Sequence, residues 1–95
     1  MNKKQNPKII LEALKQNMSK LVKNTKHDND YNSYTQMSIM LDIEITKLHK
    51  IKAKKCDYSD IYTLINEIVK MGGYINIIIY DAKGNEYHCS NNLKG

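Results

Sequence analysis

Apolar positions in the first part of the chain recur at helical spacing. Ile10, Leu14, Met18 and Leu21 fall three or four residues apart, and Leu11 and Val22 widen the stripe. Asn6 can cap such a helix and Pro7 suits its first position, so a helix is predicted over 6–24. A polar loop, TKHDNDYN, follows. A shorter apolar segment comes next, SYTQMSIML, with Ser33 and Gln36 spaced as a capping box and Met37, Met40 and Leu41 on its apolar side. The pattern then breaks at LDI. Asp42 is one of the few non-glycine residues that readily takes a left-handed turn. Glu44 is a favourable charge at the start of the next helix, EITKLHKIK. There Leu48 and Ile51 are expected to face inward, while Thr46, Lys47, His49 and Lys50 face outward.

The clearest helical pattern is CDYSDIYTLINEIVKMGG. Ile61, Leu64, Ile65, Ile68 and Met71 define its apolar face, Asp57 or Ser59 is expected to cap it, and Gly72 to stop it. The β-branched and aromatic run YINIIIY then reads as a strand, with Ile75, Ile77 and Ile79 on one face. DAKG reads as a turn and NEYHCS as the return strand of a hairpin. The tail NNLKG is expected to fray. The pattern therefore predicts one mostly α domain of four to five helices over 1–95, with a helix-turn-helix core over 33–71 and a β-hairpin over 74–90. No internal repeat and no long linker divides it.

Composition changes this picture little. The 95 residues suffice for one modest core. Hydrophobic residues at 41% and charged residues at 26% are ordinary for a globular domain. The N-terminus is basic, but polar residues follow it, so no signal peptide is expected. No apolar run reaches membrane-spanning length, and Cys56 and Cys89 are too few for a disulfide framework. A cytoplasmic protein with reduced thiols and no membrane association is the expectation.

Charge matters more. The net charge is +5, and all 15 basic residues counted with arginine are lysines. Lys47, Lys50, Lys52, Lys54 and Lys55 fall within nine residues that contain no acid. Two short helices joined by a tight turn, with other helices packed around them, form a helix-turn-helix arrangement, whose second helix enters the DNA major groove. Lysines there would neutralise phosphates and fix register. A lysine-rich solvated face is the plainer reading of the same residues; the preceding turn favours the DNA reading.

From about Ser33 to Ile79 the chain resembles the Xre/Cro-type helix-turn-helix regulators, in particular the small HigA-like antitoxins. The resemblance is carried by Met40-Leu41, Asp42 and Ile43, then Glu44-Ile45-Thr46-Lys47-Leu48, then Lys54-Lys55 and Tyr58-Ser59, and finally the helix to Met71-Gly72 and YINIII. Ser38 sits where the family prefers a small residue. The chain departs from the family at Asp42, in place of the turn glycine, and at Ile45, in place of a polar base-reading residue. It departs again at Thr46, in place of a frequent proline, and in carrying Lys where the family has Arg. Lys reads guanine with less geometric definition. The resemblance implies an operator-binding repressor or antitoxin without a cofactor, and a toxin as a second partner.

These readings together nominate Tyr34, Glu44, Ile45, Thr46, Lys47, His49, Lys50, Lys54 and Lys55 for contact with double-stranded DNA. Tyr31 and Tyr34 carry hydroxyls near the start of the second helix, although such tyrosines more often pack with their tips in water. Ile45, if exposed, can touch a thymine methyl. Tyr74, Asn76, Ile78 and Tyr80, on the strand face away from the helices, are nominated for a homodimer interface. The alternative function is a protein-binding inhibitor whose lysine face contacts an acidic partner.

Other chemistry is weakly signalled. The Asp28-x-Asp30-x-Asn32 spacing begins like a calcium loop, but Ser33 and Ile39 stand where it needs Gly and Glu. Cys56, Cys89, His49 and His88 lack zinc-finger spacing. The lysines near Cys56 could lower its pKa, but no substrate feature accompanies it. No enzymatic activity, metal or cofactor is expected.

Overall fold

The structure is a computed structural model, and it describes residues 4–91. The described residues form four helices: α1 (Pro7–Asp28), α2 (Tyr34–Leu41), α3 (Ile45–Lys52) and α4 (Ile61–Lys70). A two-stranded antiparallel hairpin of β1 (Ile77–Tyr80) and β2 (Glu86–Cys89) follows. The expectation for the tail covers 91–95, of which residues 92–95 lie outside the described residues. Among the described residues no helix is long and apolar enough to cross a membrane.

α1 starts as expected, with Pro7 in the first turn and Asn6 Oδ1 accepting from the Lys8 N–H at 3.0 Å. It ends later than expected, because TKHD is helical. Thr25 is buried, and its hydroxyl donates to the Leu21 carbonyl at 2.7 Å, so the polar run continues the inward face. The stop comes at Asp30, which is left-handed (φ 55°). Its N–H donates to His27 O at 3.1 Å, and the Tyr31 N–H reaches back to Lys26 O at 3.1 Å. This is the Schellman pattern. Tyr31 packs on the core behind it.

The same device ends two more helices. After α3, Lys54 is left-handed (φ 62°), with Lys54 N–H to Ile51 O and Lys55 N–H to Lys50 O. After α4, Gly72 takes the position (φ 84°), with Gly73 N–H to Ile68 O. Between α2 and α3, Asp42 has φ 55° and ψ 49°, the left-handed turn expected there. The α2 cap matches at Ser33, whose Oγ accepts from the Gln36 N–H at 3.0 Å, but Gln36 Oε1 accepts from the Asn32 N–H rather than from that of Ser33. The α4 cap does not. Asp60 caps it, accepting from Tyr62 N–H at 3.0 Å and from the Thr63 hydroxyl at 2.7 Å. Tyr58 is left-handed (φ 53°) and turns the chain there, so Asp57 is left bonding Ser59 N–H within its own loop.

The core joins Met18 and Val22 of α1, Met37 of α2, Leu48 and Ile51 of α3, and Leu64 and Ile68 of α4, with Ile43, Cys56 and Met71. α1 and α3 share the most extensive helix–helix contact, and Ser19 Oγ, itself buried, donates to the Lys52 carbonyl at 2.7 Å across it. Several positions expected inside are exposed: Ile10 (49%), Met40 (64%) and Ile61 (55%). The hairpin turn is held by Asp81, whose carboxylate accepts from the Lys83 and Asn85 N–H groups, the Asn85 amide and the Tyr87 hydroxyl. These bonds, those from Asn85 foremost, hold the Asp81 carboxyl below its ordinary pKa.

The strand is shorter than expected, and its faces are less well covered. Ile75 packs on the core and Ile77 is half-buried, but Ile79 stands exposed with Tyr87. In the observed register Ile77 pairs with Cys89 and Ile79 with Tyr87, so this face is apolar throughout. The opposite face holds Ile78 with His88 and Tyr80 with Glu86, and Glu86 bonds His88 at 2.9 Å.

Candidate nucleic-acid interface

α3 is short enough that its faces follow from the 100° step per residue. Leu48 and Ile51 are fully buried and fix the inward direction. Thr46, His49, Lys50 and Ala53 therefore lie together on the opposite side, and all four are exposed. Ile45 and Lys52 fall on one flank and Lys47 on the other; each is half-buried. Of the nominated residues, Thr46, His49 and Lys50 thus share one outward face. Ile45 does not share it, and Glu44 is the exposed N-cap residue of α3, with no side-chain capping bond. Lys54 and Lys55 follow at the C-terminal end, held there by the left-handed backbone of Lys54.

The two flanks differ in charge. On the first, Tyr34 opens α2 and faces α3, its ring centroid 5.8 Å from that of His49. Lys52 Nζ lies 4.3 Å from the Tyr34 ring and Lys26 Nζ 5.3 Å. Beside them is an open cleft of about 430 Å³, lined by Lys23, Lys26, His27, Asp30, Asn32 and Tyr34 among others. Lys26 comes from the last turn of α1, which the sequence pattern left in a loop.

On the second flank Lys47 turns toward α4 and pairs with Glu67 at 3.4 Å. Glu67 is 6% exposed, and its Oε1 has no hydrogen-bond partner. Burial raises the Glu67 carboxyl above its ordinary pKa, against the opposing pull of Lys47. The adjoining cleft, about 250 Å³, mixes Lys47, Lys50 and Lys55 with Asp57, Asp60 and Glu67. Cys56 and Tyr58 line it as well. Burial raises the Cys56 thiol, outweighing Lys47 and Lys50, so the expectation of a lysine-lowered thiol is corrected. Burial also raises the Tyr58 phenol. Among the described residues no group of three or more His, Cys, Asp or Glu is placed to hold a metal ion, and both cysteines are free.

The turn that presents α3 is tied to α4. Lys70 Nζ donates to the Asp42 carbonyl at 2.7 Å, with Asp42 Oδ2 3.8 Å away. Of the residues nominated for a dimer, Tyr74 is 83% exposed, and Asn76, Ile78 and Tyr80 are exposed as well. Comparison with protein-family models, curated proteins and solved structures finds no match to this chain.

Proposed function

We propose that this chain is a sequence-specific DNA-binding regulator of repressor or antitoxin type, and that α2, the Asp42 turn and α3 act as a helix-turn-helix. The observation that supports this most is the outward face of α3. Thr46, His49 and Lys50 are exposed together, opposite fully buried Leu48 and Ile51, on a helix bordered by lysines at both flanks and at its end. Such a helix can lie in a major groove with short polar groups at base edges and ammonium groups at phosphates. No cofactor takes part. The test is binding to duplex from the chain's own upstream region. Lys50→Ala combined with His49→Ala should weaken binding and alter base preference while leaving the fold intact. Unchanged affinity and preference would contradict the reading.

The hairpin supports association of two copies. A two-stranded sheet is marginal alone. Both its faces keep exposed apolar side chains, and its edges are open to pairing. A two-fold dimer would present two α3 helices to successive major grooves, about 34 Å apart. Sedimentation at micromolar concentration should give a dimer, and an 11.0 kDa monomer would contradict it. Ile78→Lys tests the Tyr74, Asn76, Ile78 and Tyr80 face, and Ile79→Lys tests the more apolar face with Tyr87. Ile78→Lys should sediment as a folded monomer and Ile79→Lys as a dimer.

The second reading, an inhibitor of another protein, is favoured by a different surface. Ile39 (75% exposed) and Met40 (64%) project from α2 without cover, and apolar exposure of this kind is a feature of protein-binding faces.

A further inference from the structure

Two ammonium groups and an imidazole meet at Tyr34. Lys26 arrives from α1, Lys52 and His49 from α3, and the tyrosine itself begins α2. The two ammonium nitrogens are 4.3 Å and 5.3 Å from one ring centroid, so they lie closer together than the sum of those distances. Each is drawn to the electron-rich ring and keeps N–H donors for an anion. The surroundings fit one. The open cleft against Tyr34 also brings Lys23 and His27. Acidic groups are sparse on this flank, in contrast to the Lys47 side: Asp30 lines the cleft, and Asp28 is engaged with His27 at 3.3 Å. The cluster is also built into the fold. Ser19 fixes the Lys52 backbone, and the extension of α1 beyond Asn24 carries Lys26 to the ring.

We propose that Lys26, Lys52 and Tyr34 form a phosphate clamp at the junction of α1, α2 and α3, which seats a backbone phosphate of duplex DNA beside the groove that α3 enters. The proposal rests on the DNA-binding reading above and extends it to α1. A backbone clamp contributes affinity and register without sequence information, so its loss should be felt equally on every duplex.

The experiment compares wild type with Lys26→Gln/Lys52→Gln on the upstream duplex and on a random duplex, from 50 to 200 mM salt. Each phosphate contact contributes a slope of about 0.9 in log affinity against log salt. Loss of one contact should make the fourfold rise in salt about 3.5-fold less damaging to the variant than to wild type. The weakening at low salt should be the same for both duplexes, and thermal melting should show the variant folded. If the pair unfolds, Lys26→Gln alone replaces it with the same readout. Equal salt dependence of variant and wild type, with wild type binding DNA, overturns the clamp and leaves the α3 reading standing. Failure of wild type to bind either duplex overturns both. If wild type then binds poly-glutamate, and Lys26→Gln/Lys52→Gln abolishes this, the cluster serves an acidic protein instead.

Discussion

Replacement of Ile51 by alanine is expected to cost about 2–5 kcal/mol of folding stability. Ile51 is fully buried on α3, in the cluster that joins all four helices. Truncation removes its contacts and leaves a cavity that the α1–α3 contact cannot easily close, because Ser19 and the Lys52 carbonyl pin the helices together at that end. A domain of this size has about 5–14 kcal/mol in total, so the loss is a large share. The melting temperature should fall by at least about 8 °C. Ile61→Ala is the control. It removes the same atoms from a residue 55% exposed and should change stability by about 0.5 kcal/mol or less. Equal losses at the two sites would contradict the burial pattern.

The second large effect concerns Lys47 and Glu67. Lys47→Ala is expected to destabilise the fold by about 1–3 kcal/mol, because it strips a buried carboxylate of the lysine paired with it. The lower range applies because the lysine side chain is 36% exposed and water screens it. Glu67→Gln should cost far less, since it removes the buried charge and lets Lys47 turn to solvent. In the Lys47→Ala background Glu67→Gln should restore most of the lost stability. Additive losses in the double variant would contradict this. The pH dependence has a definite sign. The Glu67 pKa is raised on folding, so the folded state binds this proton more tightly than the unfolded state. The associated stability is present below the ordinary glutamate value of 4.5 and is lost as pH rises through the higher folded value. Glu67→Gln should flatten that stretch of the stability curve. Lys47 is therefore a poor probe of DNA contact, and Lys50 and His49 are better ones.

The parts of the fold written in side-chain period and in glycine were legible in the sequence. Leu48 and Ile51 facing inward, Asn6 and Ser33 as caps, Asp42 as the turn and Gly72 as the stop all stand as read. The end of α1 was not legible, because its stop signal is Asp30 in a left-handed conformation and its last turns are polar. Lys54 and Tyr58 are hidden further still: unlike Asp, neither residue type announces a positive φ. Missing the end of α1 concealed Lys26, and with it the convergence on Tyr34. The two flanks of α3 were equally hidden. Lys47 and Lys52 look alike in sequence, yet one faces a buried carboxylate on α4 and the other an aromatic ring on α2. Only the packing of α4 and α1 against α3 separates them.

Titration of isotope-labelled protein with duplex from its own upstream region, followed by amide chemical shifts, tests the central claim most directly. The account predicts shifts concentrated at Thr46, His49 and Lys50, with a second group at Tyr34, Lys26 and Lys52, and little change at Asp57 to Asp60. Shifts absent altogether, or centred on α4 and the hairpin with α3 silent, would contradict it.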